Sequence, residues 1–182
     1  MVNSISKSGV VHTGLKTGVA IIALAAMVTC GGALFAASKA KAATATSSFA
    51  VTATVLQSCI VLATPMIFGN YDPTSLTPTD ATTELLVTCT NGTSYNVGLN
   101  AGGGSGASIA SRKLSFGGST LNYTLYRDSN RTNVWGTTVG TDTQIGTGTG
   151  LPVGHTVYGR MPALQAALPG VYTDTITVTV TY

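Results

Sequence analysis

Charge is scarce in this chain, with only 8% of its 182 residues being Asp, Glu, Lys or Arg. Beyond residue 42 there is one glutamate, Glu84, one lysine, Lys113, and one histidine, His155. With Glu and Lys almost absent and Thr, Gly, Val and Ser dominant, no stretch past residue 42 reads as a helix. A single histidine and no Cys-x-x-Cys pair argue against zinc. The six acids are scattered and signal no catalytic carboxylate pair. His155 is the one candidate base in the usual titration range. Its neighbours "GHTVYG" put it in a strand, at an ordinary surface or rim position. The glycine-rich stretches carry no chemistry either. "GTGTG" (146–150) has no Lys-Ser/Thr after it and does not open a helix, so it is a turn and not a phosphate loop. "GGGSGAS" lacks the spacing of a nucleophile elbow and reads as a flexible loop. The expectation is a protein that is not an enzyme, with no catalytic residue, no metal site and no cofactor.

The charges that do exist are unevenly placed. Lys7 and Lys16 precede an uncharged run, Thr17–Ala37, which leads into "SKAKA" with its Ala40-Lys41-Ala42 site. A basic start, an apolar centre and small residues at the end make residues 1–42 a secretory signal peptide. A transmembrane anchor is the alternative, the apolar run being about long enough to span a bilayer. Cys30 raises a lipoprotein reading, which Thr29 before it and the apolar run beyond it weaken. Cleavage after Ala42 removes four lysines and leaves five basic residues against six acidic ones, a net charge of −1. The basic pI therefore belongs to the targeting segment, and no case for nucleic-acid binding survives.

Two cysteines remain after cleavage, Cys59 and Cys89. An even count in an exported domain points to one disulfide, with two buried free thiols as the alternative. A bond closing a loop of about thirty residues would be worth roughly 3–4 kcal/mol by the chain-entropy model. Asn91, Asn122 and Asn130 begin Asn-x-Ser/Thr sequons, which arise readily by chance in so Thr-rich a chain.

What is abundant is β-forming sequence. Short alternating runs recur between Gly-, Asn- and Pro-bearing breaks: 48–56, 59–63, 84–90, 95–100, 112–116, 121–126, 132–136, 155–161 and the final 176–182. Such spacing predicts one all-β sandwich or barrel, without internal repeat or domain boundary. Loops are expected at 70–80, 100–108 and 140–150. In the final run Ile176, Val178, Val180 and Tyr182 alternate with threonine, and nothing follows to pair with the strand's other side. Near the new N-terminus, Phe49, Val51, Ala53 and Val55 share one face of "FAVTATV". Periodicity alone leaves open whether this segment completes its own sandwich or is offered to another molecule.

The order and spacing of "VLQSCIV…IFGNYDP", "LLVTCTNG", "NYTLYRDSNRTNVWG" and "YGRMPALQAALPGVYTDTITVTVTY" resemble the spore coat protein U domain. In particular they resemble subunits of Csu-type (archaic) chaperone–usher pili, over essentially all of 43–182. The resemblance implies an incomplete immunoglobulin-like Greek-key sandwich, completed by a donor strand from another subunit. It further implies residues 43–57 as the donor-strand extension and 58–182 as the pilin domain. Phe49, Val51, Ala53 and Val55 would be the donor plugs, and Ile176, Val178, Val180 and Tyr182 would lie on the acceptor-groove strand, even-numbered face inward. The implied partners are neighbouring subunits, a periplasmic chaperone and an outer-membrane usher. The implied route runs through the periplasm to a surface fibre that supports adhesion and biofilm formation. A secreted or coat protein sharing the domain without making a pilus is the competing identity.

Overall fold

The computed structural model describes residues 41–182. The signal-peptide expectation falls almost wholly on 1–40, outside the described residues. The chain divides into two units, Met1–Ala50 and Val51–Tyr182. Within the first, residues 41–50 are exposed and form no strand.

Eight strands build the second unit: β1 Cys59–Ala63, β2 Thr79–Cys89, β3 Ser94–Leu99, β4 Arg112–Phe116, β5 Ser119–Tyr126, β6 Gln144–Thr147, β7 Val153–Met161 and β8 Val178–Thr181. No helix occurs among the described residues. The strands form a five-stranded sheet, β1-β2-β7-β5-β4, and a three-stranded sheet, β6-β3-β8, with every pairing antiparallel. This is the all-β, immunoglobulin-like sandwich that the pattern of short strands and the resemblance predicted.

Alternation decides which side chains meet. On β2, Leu85, Val87 and Cys89 are buried while the residues between them are not. Tyr95, Val97 and Leu99 on β3, Leu121, Tyr123 and Leu125 on β5, and Val157 and Met161 on β7 complete the core with Trp135. The period of two puts each set on one face of its sheet, so the two inner faces interdigitate. Trp135 is fully buried, and its indole N–H donates to the Val97 carbonyl at 2.7 Å. Arg112 is also fully buried. Its guanidinium donates to the carbonyls of Asn100 (2.8 Å), Ile109 (2.9 Å), Leu99 (3.0 Å) and Trp135 (2.6 Å). Those bonds satisfy the planar fork and tie the 100–111 loop and the Trp135 segment to the end of β3.

Four expectations change. The run 48–56, expected among the strands, forms none. Residues 132–136, expected as a strand, make only an isolated bridge, Val134 to Tyr126. Arg127, Thr132 and Asn133 are occupied there by a tight turn in which Asp128 accepts from the Thr132 and Asn133 amides. The expected loop 140–150 contains β6, whose Gly146 lets the strand lie against the Tyr95 ring, where a Cβ would collide. Glycine in such a stretch predicts a break, but here it permits close approach of a side chain. The expected loop 70–80 is also shorter, because β2 begins at Thr79 and pairs with Met161 from its first residue.

Candidate functional site: an open groove between two strand edges

Four strands, β1, β4, β6 and β8, have a partner on one side only, and two of these edges frame an opening. β1 pairs with β2, and β8 pairs with β3, each at the end of its own sheet. The two lie beside one another, and between the segments that continue them the sandwich is open. One wall of the opening is Ala63–Met66 with Phe68, and the other is Asp174–Ile176 with Val178. The floor is core: Leu85, Leu99, Leu114, Tyr123, Leu125 and Val157. The cavity measures about 360 Å³.

Each wall is held by bonds that leave its inner face free. Thr64 donates its amide to the Glu84 carbonyl at 3.2 Å, and its hydroxyl lies 2.7 Å from that of Thr83. Phe68 meets Tyr123 edge-on, ring centroids 5.9 Å apart. Opposite, Thr173 exchanges both backbone bonds with Ser115 at the end of β4, so the chain leaves the first sheet there. It then joins the second sheet as β8. Asp174 anchors this crossover. Its carboxylate accepts from the Tyr123 hydroxyl (2.6 Å), the Gly103 amide (2.7 Å) and the Thr175 amide (2.7 Å). Burial first, and then the bond to Asp174, push the Tyr123 phenol far up, so it stays a neutral donor. Gly102, at φ 82°, sits where any Cβ would strike the Asp174 carboxylate. Composition had marked that glycine-rich loop only as flexible; one of its glycines has a steric job.

The sequence-derived groove residues fall as follows. Ile176, Val178 and Val180 are half-buried and rest against the core, whereas the threonines between them are exposed. Tyr182 lies past the end of β8 and is 55% exposed. The strand itself is shorter than the apolar alternation, beginning at Val178; before it, Thr173 makes an isolated bridge to Ser115 of β4. The other wall, Thr64–Phe68, and the Asp174 anchor were not foreseen. "TPMIF" contains a proline and makes no alternating pattern, so only its place beside β8 reveals it.

The proposed plugs lie on exposed chain. Phe49 is 87% exposed in the first unit; Val51 (83%) and Val55 (81%) are so in the second. None of residues 48–57 belongs to a strand. The segment's last residues are tied down. There the Thr90 hydroxyl donates to the Leu56 carbonyl (3.2 Å) and accepts from the Ser58 amide (3.1 Å). Cys59 then opens β1 directly opposite Cys89, and the two form the expected disulfide.

His155 proves to be a rim residue turned inward. It is half-buried, its Nε2 lies 2.9 Å from the Tyr95 hydroxyl, and burial lowers its pKa. Among the described residues no three His, Cys, Asp or Glu side chains are grouped as metal ligands would be.

Comparison with known proteins agrees with this architecture. The chain is similar to the pre-assembly complex of the CsuC chaperone and the CsuE tip adhesion subunit from the archaic Csu pili of Acinetobacter baumannii. That match has a TM-score of 0.52 and 22% identity, and covers 71% of this chain and 40% of that one. At that identity it speaks for the fold, and this chain spans less than half the length of the chain it matches. The P pilus rod subunit PapA matches more loosely, with a TM-score of 0.45 and 15% identity over 68% of this chain and 98% of that one. In sequence the chain is 37% identical over 178 residues to Protein U of Myxococcus xanthus, covering 90% of this chain and 99% of that protein. The model of the Spore Coat Protein U domain matches residues 45–179, and the chain belongs to that family.

Proposed function

We propose that this protein is a structural subunit of a surface fibre, assembled by donor-strand exchange along a chaperone–usher route. The observation that carries the reading is the apolar groove between the segments that continue the edge strands β1 and β8, set against an exposed, unpaired, alternating apolar segment at residues 49–55. A free strand edge flanked by apolar surface invites aggregation unless another chain covers it. Strand addition covers it, with main-chain bonds for affinity and alternate side chains for fit. Burying Phe49, Val51 and Val55 at about 1.5–3 kcal/mol each, with less from Ala53, gives roughly 5–9 kcal/mol before ordering costs. That equals the net stability of a typical domain, enough to hold subunits without covalent links.

In this reading the export signal delivers the chain to the periplasm, and a chaperone occupies the groove first. An outer-membrane usher then exchanges it for residues 43–57 of the next subunit, and the fibre serves adhesion and biofilm formation. The similarity to the CsuC–CsuE complex supports the chaperone partner. The test is to delete residues 43–55 and express the remainder with its chaperone. A chaperone complex should form while fibres fail to extend. Val51→Asp should act in the same way, because an unpaired carboxylate would have to enter the groove. Normal fibres from the truncated chain would defeat the reading, as would a wild-type protein that stays an inert monomer when purified alone.

A second reading rests on the 37% identity with Protein U along 99% of its length. There the same sandwich would be a coat or secreted component that forms no pilus. Surface fibres absent from cells that secrete the wild-type protein would favour it.

A further inference from the structure

A second opening lies elsewhere on the sandwich and shares no lining residue with the groove. β7 is paired with β2 along its whole length, but with β5 only over Tyr158–Arg160. On that side Val153–Val157 has no neighbouring strand, and β6 is likewise paired only with β3. Between these edges is a cavity of about 200 Å³, room for several waters or one monosaccharide-sized group. Arg127, Gln144, His155, Thr156 and Tyr158 line it, with the edge of Trp135.

Arg127 makes this cavity chemically distinctive. Its Nη1 donates to the Thr143 carbonyl at 2.8 Å and its Nη2 more weakly to that of Thr141 at 3.4 Å. Both acceptors are neutral. Its Nε is buried and, alone among the buried side-chain nitrogens and oxygens of the described residues, lacks a hydrogen-bond partner. The ion pairs among the described residues use Asp80, with Arg131 and Arg160, and leave Arg127 without a carboxylate. No acidic residue lines the cavity. A buried donor with no acceptor calls for one, and a guanidinium favours a carboxylate. Gln144 and Thr156 add neutral donors and acceptors. His155, its pKa lowered by burial, adds another neutral polar group at pH 7. The Tyr158 ring adds a flat apolar surface.

We infer that this cavity is a binding site for a carboxylated sugar, with the carboxylate on Arg127, hydroxyls on Gln144, Thr156 and His155, and a C–H face of the ring against Tyr158. The site does not depend on how the groove is used. If subunits do polymerise, it recurs once per subunit, and a weak site gains strongly in avidity toward an acidic polysaccharide.

The experiment is a titration of the purified, disulfide-intact protein with sodium glucuronate, glucose and inorganic phosphate, followed by backbone amide shifts. Glucuronate should bind with Kd on the order of 1 mM, at least roughly tenfold tighter than either control, moving amides of Arg127, Gln144 and Thr156. Arg127→Gln should weaken glucuronate by about tenfold or more and bring it level with glucose. Gln144→Ala should weaken it about threefold while leaving the urea midpoint unchanged, which keeps the test sound if Arg127→Gln fails to fold. Glucuronate that produces no saturable shift overturns the proposal. So does phosphate or glucose binding equally well, or a Gln144→Ala protein that binds as wild type does.

Discussion

Val61 and Val87 face each other across β1 and β2 on the inner side of the same sheet, yet Val87 is fully buried and Val61 is 38% exposed. Directly opposed residues of an antiparallel pair point to the same face, so the difference does not come from orientation. It comes from what lies next along the sheet: β7 beyond β2, and nothing beyond β1. The inner face of β1 is core surface left without a cover, as the groove is.

That contrast predicts unequal costs for the same substitution. Val87→Ala should destabilise the isolated subunit by about 2 kcal/mol, whereas Val61→Ala should cost well under half as much. Adding a peptide of residues 47–57 should raise the cost at Val61 and leave that at Val87 unchanged. Urea denaturation of both variants, with and without the peptide, measures this. Equal costs at Val61 in the two conditions would mean that the peptide does not cover β1.

Arg112 should tolerate no conservative replacement. Lysine keeps the charge but presents one ammonium where four carbonyls now receive a planar fork. Arg112→Lys should cost at least about 2–3 kcal/mol, since buried acceptors lose their donors. Thermal unfolding should show the loss, and amide exchange should show it first in residues 100–111. A midpoint equal to wild type would mean that the loop holds without the guanidinium.

The Cys59–Cys89 bond ties the groove's edge strand to the body at its first residue. Cys59→Ser with Cys89→Ser should lower stability by about 3–4 kcal/mol. The loss should be accompanied by faster exchange of the Ile60, Val61 and Leu62 amides than of those in β7. Uniformly faster exchange would show that β1 is no less anchored than the rest.

His155 gives stability a dependence on pH. Burial lowers its folded pKa below the ordinary value of 6.5, so the unfolded chain takes up the proton first as pH falls. Its contribution is complete above about pH 7 and declines as pH drops through 6.5 toward the lower folded value. The urea midpoint should therefore fall between pH 7 and pH 5, and His155→Gln should flatten that part of the profile. An unchanged slope in the variant would assign the dependence to other groups.

Most of the strands were legible in the sequence because a sheet with one buried face writes a period of two into the chain. Cys59–Ala63 and Arg112–Phe116 were expected at the bounds they have, and Leu121, Tyr123 and Leu125 alternate with Asn122 and Thr124 in sequence as they do in burial. The disulfide was legible by count and compartment. Local pattern also marked Phe49, Val51 and Val55 as an apolar face, without saying whose core it completes. The tertiary structure alone decided the groove. Pro65, Met66 and Phe68 have no periodicity, and Asp174 is one acid among six; they form walls because Thr173 is held by β4 while Val178 is held by β3. The gap at Arg127 likewise exists because β5 stops pairing with β7 at Tyr158. A sequence pattern reports the environment of each residue averaged along its own strand. Which edges lie beside each other, and which of them remain uncovered, is set by contacts between residues far apart in the chain.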